Sequence, residues 1–377
     1  MTDEAFGTFF LPGPTEVRRE VLAAMTGPMI AHRGKDFETL FARIQTGLRA
    51  VFRTARPVFV SSSSATGLME AGVRCAPDGP ILSIVNGAFS ERFSHIARNC
   101  ARETDVLDVA WGDVVNLDEV RRRLVGRRYA ALTVAHSETS TGALTDVRAL
   151  NALARENDTL CLVDSVTGLA ATPLEFDAWR MDYVLTGSQK ALALPPGLAV
   201  GVASEEYMQG AARATDRGLY FDLVEFEAYG RKNQTPNTPA IPLLYALDVQ
   251  LAHIAIEGIA QRWARHAAMA IQTWEWVDHC AQTTGIPLRV LAPAGSRSTT
   301  VTAVVLPPTI KGTAVADAVR RRGFTIGTGY GKLRDATFRI GHMGDHTPEG
   351  LARCLTACEE ALTELQAGAV GGRNWPL

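Results

Sequence analysis

One lysine stands out among the residues that could do chemistry. Lys190 lies in DYVLTGSQKALALPPGLAVGVAS, a run otherwise typical of buried strand, and lysine occurs elsewhere only at positions 35, 232, 311 and 332. Removing an ammonium group from water is costly, so a buried lysine tends to lose its proton. A neutral amine is a nucleophile that forms Schiff bases with carbonyl compounds. The sequence therefore predicts a Schiff-base lysine at position 190.

Three other polar groups follow apolar runs. The segment VFVSSSSATGLMEA (58–71) puts small hydroxyl residues before a helix start, which favours either a phosphate site or an ordinary serine-rich helix cap. Asp164 ends the run TLCLVD and could either cap a turn or pair with a protonated pyridine nitrogen. The polar loop HSETSTG (136–142) follows YAALTV. The ordered set, together with Lys190, indicates a pyridoxal phosphate (PLP) site.

These groups need a sheet that brings strand ends together. Apolar runs end near residues 60, 85, 136, 164, 187 and 204, and helical patterns such as NLDEVRRRL and DVRALNALAREN separate most of them. Uninterrupted apolar strands that alternate with helices predict a mostly parallel sheet covered on both faces. Ligands bind such a sheet at the carboxyl ends of its strands, where the four groups fall.

The strand–helix alternation stops near residue 205. A long helical pattern follows over about 242–283, and the last hundred residues contain two strand-like segments, STTVTAVVLP and TFRIGHMG, each followed by a helical pattern. We expect an α/β protein with a smaller α+β C-terminal domain. The expected divisions are an N-terminal arm (1–13), a large PLP-binding domain (14–257) and a small C-terminal domain (258–377).

Composition narrows the class of protein. A chain of 377 residues suits two domains, and its net charge of -2 gives no electrostatic case for binding nucleic acid or anionic membranes. No apolar run is long enough to span a bilayer. The six cysteines lack metal-ligand spacing, so we expect no metal site and a reduced, cytoplasmic location.

Eight motifs carry a resemblance to a known family. They are LPGPTEV, SSSSATGLMEA, NGAFSER, HSETSTG, LVDSVTG, GSQKALALPPG, TPAIPLLYAL and FRIGHMGD. From about Phe10 to the C-terminal helix, the chain resembles a class V aminotransferase of PLP fold type I. Within that class it is most similar to the alanine–glyoxylate and serine–pyruvate aminotransferases. The resemblance implies PLP as the cofactor and a homodimer with shared active sites.

The resemblance also implies roles for individual positions. Lys190 would hold PLP as a Schiff base and act as the proton carrier, while Asp164 would pair with the pyridine nitrogen. A larger set would bind the cofactor: Ser64, Ala65, Thr66 and Gln189 at the phosphate, Thr238 at the phosphate of the neighbouring subunit, Phe89 against the ring, and Thr139 at the ring oxygen. Arg339 would bind the substrate α-carboxylate beside the backbone of Gly13.

The reaction implied is a ping-pong transamination. An amino group would pass from a small amino acid, alanine or serine, to a 2-oxo acid such as glyoxylate or pyruvate. Arg33 could bind a second anionic group, which would favour aspartate or phosphoserine with 2-oxoglutarate; a solvent-exposed arginine is the alternative. Tyr220 and Tyr330 are further candidates for the substrate pocket.

Other enzyme classes compete with this interpretation. A PLP-dependent lyase on the same fold stays open. Desulfuration is disfavoured because Cys280, Cys354 and Cys358 fall in helical patterns rather than on a loop. A dinucleotide-binding dehydrogenase is disfavoured because GTGYG (327–331) has the wrong glycine spacing.

Overall fold

The computed structural model describes residues 6–371, and the side chains of residues 6–368. The strands in this part of the chain are β1 Phe9–Phe10, β2 Phe59–Ser61, β3 Ile81–Val85, β4 Thr104–Asp108, β5 Ala131–Ala135, β6 Ser137–Glu138, β7 Ala143–Leu144, β8 Leu160–Asp164, β9 Tyr183–Gly187, β10 Ala199–Ala203, β11 Arg289–Val290, β12 Val301–Val305, β13 Thr325–Thr328 and β14 Thr337–Gly341. The helices are α1 Arg19–Ala24, α2 Lys35–Phe52, α3 Ala65–Arg74, α4 Ala88–Asn99, α5 Leu117–Gly126, α6 Val147–Glu156, α7 Glu205–Ala211, α8 Leu223–Gly230, α9 Ile241–Glu257, α10 Ile259–Thr284, α11 Gly312–Arg321 and α12 Pro348–Gly371.

Seven strands form the larger sheet, in the order β2-β10-β9-β8-β5-β3-β4. The pairs β3–β4, β3–β5, β5–β8 and β8–β9 are parallel, whereas β10 runs antiparallel to both of its neighbours. Strands β3, β5, β9 and β10 are buried at every position because helices cover both faces. The predicted α/β class with a mostly parallel sheet is confirmed.

The smaller sheet has the strand order β1-β13-β14-β12-β11. Its first strand comes from the chain's beginning, since Phe9 and Phe10 pair in parallel with Thr325 and Ile326. The expected N-terminal arm therefore adds a strand to the C-terminal sheet, which the sequence did not predict. Residues 1–5 of that arm and 372–377 of the expected small domain lie outside the described residues.

The long helical pattern over 242–283 is two helices, α9 and α10, which meet at an angle of 82°. Gly258 separates them with a φ of +81°, and a Cβ atom there would lie 2.4 Å from Gln261 Oε1. Glycine suits this position because it adopts a positive φ without steric cost. The break falls at the expected boundary between residues 257 and 258, although the division into domains stays a prediction. Within residues 6–371 no single helix is long and apolar enough to cross a membrane. Taken together, α9 and α10 have sufficient length and apolar composition, but they are bent by 82°.

Hydroxyl groups join the polar loop after β5 to the smaller sheet. Ser137 Oγ lies 2.7 Å from Ser298 Oγ, and the Ser298 N–H donates to the Gly142 carbonyl at 2.8 Å. Nearby, Thr172 Oγ1 lies 2.6 Å from Thr299 Oγ1. The segment before β12 therefore holds the loop that contains HSETSTG, and the two sheets meet at that loop.

We predict that Phe10→Ala destabilises the protein by about 3–5 kcal/mol. Phe10 is fully buried in the core of the smaller sheet, and its ring stacks on His346 at 4.2 Å. The measurement is the free energy of unfolding from guanidinium titration. Ile256→Ala is the control, because Ile256 is 85% exposed and should change stability by less than about 0.5 kcal/mol. Equal effects of the two substitutions would contradict the packing of the arm.

Candidate active site

Lys190 lies in the turn between β9 and β10, at the carboxyl end of β9. Its side chain is buried, and its Nζ donates a hydrogen bond to the Pro12 carbonyl. The chain around Lys190 is tied to the N-terminal segment, since Thr15 N–H donates to the Gln189 carbonyl and Thr15 Oγ1 donates to the Lys190 carbonyl, both at 3.0 Å. The arm that joins the smaller sheet therefore also covers the amine.

Gly13 makes this close approach possible. It has a φ of +111°, and a Cβ atom built on it would lie 2.4 Å from Lys190 Nζ. Any side chain at position 13 would therefore displace the amine. The structure brings Gly13 and Lys190 together, while the role of Gly13 in the carboxylate pocket stays a prediction.

Burial, together with the positive charge of Arg339, lowers the pKa of Lys190 to about 7, and the negative charges of Asp164 and Glu138 oppose this shift. A substantial fraction of the amine is therefore neutral near neutral pH. The neutral form has the lone pair that nucleophilic attack and proton abstraction both require.

Asp164 is the last residue of β8, the strand beside β9 in the larger sheet. Its Oδ1 accepts a hydrogen bond from the Val166 N–H at 2.8 Å. Burial raises the pKa of Asp164 to about 7, although the bond from Val166 and the charges of Lys190 and Arg92 lower it. A buried carboxylate with a raised pKa is stabilised by a cationic partner.

Arg339 comes from β14 of the smaller sheet and is also buried. Its Nε donates to the Thr328 carbonyl at 2.9 Å and its Nη1 to the Thr139 carbonyl at 3.0 Å, while no bond from Nη2 is found among the described residues. Burial lowers the pKa of Arg339 to about 10, so the guanidinium stays charged at neutral pH. Two carbonyls fix its orientation and leave a donor for a carboxylate.

Two aromatic rings border the amine and the guanidinium. Phe89, near the start of α4, lies 5.2 Å from Tyr330 between ring centres. Lys190 Nζ is 5.9 Å from the Phe89 ring centre, and Arg339 Cζ is 5.4 Å from the Tyr330 ring centre. Tyr330 and Phe89 therefore both lie at the site, and the stacking role of Phe89 stays a prediction.

Glu138 was not among the predicted site residues, yet its carboxylate fixes the start of α4, which carries Phe89. Its fully buried carboxylate accepts hydrogen bonds from the N–H groups of Phe89 at 3.1 Å and Ser90 at 2.9 Å, and from Ser140 Oγ at 2.5 Å. A carboxylate at the start of α4 suits the positive end of the helix. Gly87 leaves the space, because a Cβ there would lie 2.4 Å from Glu138 Cδ. The signal in the sequence was an acidic residue inside a hydroxyl-rich loop.

Thr139 is held by the loop that follows β8. Its Oγ1 lies 2.5 Å from Thr167 Oγ1, and in the same pair of loops His136 Nδ1 lies 2.9 Å from Ser165 Oγ. Burial lowers the pKa of His136 to about 4, so its ring is neutral at neutral pH. These contacts order Thr139 by joining the loops that follow β5 and β8.

Ser64, Ala65 and Thr66 form the start of α3. Ser64 occupies the N-cap position, but its side chain makes no capping hydrogen bond. Gln189 lies alongside, since a Cβ built at Gly187 would lie 2.7 Å from Gln189 Oε1 and 3.4 Å from Ala65 Cβ. The start of α3 therefore offers backbone donors and the positive helix end to an anion, next to the Lys190 turn.

Thr238 and Tyr220 line a narrow crevice beside Ser62, and Lys190 is not among the residues that line it. Both are exposed, and the Ala240 N–H donates to Ser62 Oγ at 2.9 Å. The crevice adjoins the serine-rich turn before α3. An exposed threonine here is available to a second subunit, but that role stays a prediction.

Arg33 supports the segment that carries Thr238. Its Nη1 donates to the Thr235 carbonyl at 2.6 Å and its Nη2 to the Pro236 carbonyl at 3.0 Å, and its Cζ lies 4.9 Å from the Tyr229 ring centre. Arg33 is exposed, as the solvent-exposed alternative predicted. Its contacts within the described chain are with this segment, not with Lys190 or Arg339.

Arg262 is a second residue that sequence reasoning missed. It is 1% exposed, pairs with Asp345 Oδ1 at 2.9 Å, and donates from Nη2 to the Ala191 carbonyl at 2.7 Å. Thr15 donates to the Lys190 carbonyl and Arg262 donates to the Ala191 carbonyl, so together they fix the two peptide groups that follow the lysine Cα. Arg262 lies on α10, 71 residues from Ala191, so local sequence carries no sign of the contact.

Comparisons with known proteins agree with this fold. The aminotransferase class-V family model matches residues 17–332. The chain is 34% identical to an uncharacterized aminotransferase of Methanocaldococcus jannaschii, over 94% of this chain and 92% of that protein. It is 29% identical to a serine–glyoxylate aminotransferase of Arabidopsis thaliana, over 96% and 92%. A solved alanine–glyoxylate aminotransferase from Nostoc sp. has a TM-score of 0.88 at 31% identity, covering 94% of this chain and 95% of that one.

The fold and the matches define a PLP-dependent aminotransferase. The chain belongs to the class-V aminotransferase family, as the sequence motifs indicated.

The residues present fit PLP. The buried amine of Lys190 suits an imine with its aldehyde, the raised pKa of Asp164 suits a cationic ring nitrogen, and the uncapped start of α3 suits its phosphate. The structure brings these groups together at one edge of the larger sheet. The roles of individual residues stay predictions.

We predict that Asp164→Asn changes how stability depends on pH in the cofactor-free protein. The pKa of Asp164 rises from 3.8 to about 7 on folding, so between these values the folded state binds more protons than the unfolded state. Stability of the parent should therefore fall relative to that of the asparagine variant as pH rises from 4 to 7, by up to about 4 kcal/mol.

The measurement is the free energy of unfolding of both proteins across that pH range. Loading with PLP should flatten the decline in the parent, because a cationic ring nitrogen favours the ionised carboxylate. Parallel pH profiles for the two cofactor-free proteins would refute the role given to burial of Asp164.

Proposed function

We propose that this protein transfers the amino group of a small amino acid, alanine or serine, to glyoxylate or pyruvate in a ping-pong reaction. The observation that carries the proposal is the pairing of a buried amine, Lys190, with a buried guanidinium, Arg339, across two neighbouring aromatic rings. The names of the serine–glyoxylate and alanine–glyoxylate relatives support the choice of substrates.

In the proposed reaction, Arg339 binds the substrate α-carboxylate through Nη2, and its bonds to the carbonyls of Thr328 and Thr139 hold the guanidinium in place. This orients the substrate amino group and Cα toward the Lys190 amine. Gly13 leaves room for the Lys190 amine, which a side chain at position 13 would displace.

Lys190 acts as the general base. Its pKa of about 7 leaves neutral amine available to take the proton from the substrate Cα and to return a proton later in the cycle. PLP, when bound, supplies the carbonyl group and the electron-accepting ring. Asp164 would pair with the ring nitrogen and favour its protonated form, and Phe89 would lie against the ring.

We further propose that the active unit is a cytoplasmic homodimer in which Thr238 contacts the phosphate at the partner's site. The exposed position of Thr238 and the support that Arg33 gives its segment favour this assignment. The six free cysteines suit a reducing compartment.

A PLP-dependent lyase is the competing function, because it would use the same lysine. A lyase needs no amino acceptor, so dependence of turnover on a 2-oxo acid separates the two. Desulfuration is disfavoured by burial of Cys280, Cys354 and Cys358, and burial raises the pKa of Cys280 to about 11.

We predict that Lys190→Ala abolishes transamination and covalent attachment of PLP. The parent, reduced with borohydride and analysed by mass spectrometry, should carry the cofactor on Lys190, and the variant should not. Lys232→Ala is the control, because Lys232 is exposed and should leave labelling and turnover intact. Turnover retained by the Lys190 variant would overturn the proposed function.

We predict that Arg339→Lys lowers kcat/KM for L-alanine by about tenfold to a hundredfold, since the ammonium of lysine cannot reproduce the planar set of donors. The visible absorbance of bound PLP should remain. Arg334→Lys, an exposed position on the same hairpin, should have no effect. An unchanged kcat/KM in the Arg339 variant would remove it from carboxylate binding.

A further inference from the structure

A second guanidinium lies at the edge of the active site. Arg92 is on α4, about one turn after Phe89, and is exposed. Its Cζ lies 5.0 Å from the Phe89 ring centre, and its Nη2 donates to Tyr330 Oη at 3.4 Å. Arg92 and the Lys190 amine are thus both within 6 Å of the centre of the same ring.

The two arginines at the site contact different parts of Tyr330, Arg339 the ring and Arg92 the hydroxyl. Arg339 Cζ is 5.4 Å from the ring centre and is buried, whereas Arg92 meets the hydroxyl at the rim. Arg339 is held by two carbonyls, while Arg92 has no carboxylate partner among the described residues. A ligand that spans this ring would meet one guanidinium at each of its ends.

A cleft of about 530 Å³ opens beside Arg92 and Tyr330, and Trp111 and Lys332 also line it. Lys332 Nζ lies 4.3 Å from the Trp111 ring centre. Glu91 and Asp108 also line the cleft, so its charge as a whole favours neither anions nor cations. Selection of an anionic group therefore depends on the Arg92 guanidinium, which lies at the Tyr330 hydroxyl.

We propose that Arg92 binds the distal carboxylate of a dicarboxylic amino acid whose α-carboxylate lies at Arg339. A four- or five-carbon dicarboxylate has its charged groups at its two ends, with an apolar middle that suits packing against Tyr330. Planar guanidinium donors match a carboxylate better than a lysine ammonium does. This inference rests on the proposed function and widens its donor range to substrates of the aspartate type.

Arg92 takes the role that the sequence suggested for Arg33. Both are exposed arginines near the N-terminal end of a helix, so local sequence does not distinguish them. In the structure, both Nη atoms of Arg33 are used by the carbonyls of Thr235 and Pro236. Within residues 6–371, the one hydrogen bond found from Arg92 goes to a tyrosine hydroxyl at 3.4 Å, which leaves other donors available.

Calorimetry with unreactive acids tests the contact without catalysis. PLP-loaded parent protein is titrated with succinate, which has two carboxylates, and with propionate, which has one. Succinate should bind about tenfold to a hundredfold more tightly than propionate, and Arg92→Gln should remove most of that difference. Arg98→Gln, an exposed arginine six residues further along α4, is the matched control and should keep it.

Kinetics give the second measurement. The ratio of kcat/KM for L-aspartate to that for L-alanine should fall about tenfold or more in Arg92→Gln and stay unchanged in Arg98→Gln. Added salt should lower this ratio in the parent, because a charge at the rim is screened.

The outcomes separate the inference from the proposed function. If alanine is transaminated but the succinate preference is absent, or survives in Arg92→Gln, the role of Arg92 is wrong and the proposed function stands. A succinate preference that Arg92→Gln removes would support the role of Arg92, even if no amino acid reacts and the proposed function fails.

Discussion

The site depends on keeping the amine of Lys190 out of water. An isolated ammonium in such a place is unstable, and the nearby charge of Arg339 makes it more so. Two contacts offset part of this cost. The Lys190 amine donates a hydrogen bond to the Pro12 carbonyl, and the negative charge of Asp164 stabilises the ammonium form. The same burial that disfavours the ammonium produces the neutral nucleophile, so reactivity and burial have one physical cause.

Burial of this amine requires several distant segments to meet. The N-terminal arm covers it, and Gly13 allows the approach because no side chain intervenes. Arg262 and Thr15 hold the peptide groups after the lysine Cα. Both sheets therefore contribute to the surroundings of one turn, since the arm that passes over Lys190 also forms the first strand of the smaller sheet.

The polar loop after β5 connects the remaining groups. Its Glu138 carboxylate positions the start of α4 and hence Phe89, while its Thr139 carbonyl accepts from Arg339. Hydroxyl contacts such as Ser137 with Ser298 hold the loop against the smaller sheet. The loop after β5 thus orders both Phe89 and Arg339.

The sequence by itself determined the sheet, its strand ends and the candidate residues on them, because apolar runs and their polar ends are local patterns. Lys190, Asp164 and the start of α3 were found in this way. Tertiary structure alone decided that Arg92, and not Arg33, lies at the site, that one helical pattern bends at Gly258, and that Glu138 and Arg262 support the site. Each of these depends on contacts between residues far apart in the chain, and a residue's local pattern carries no record of what packs against it.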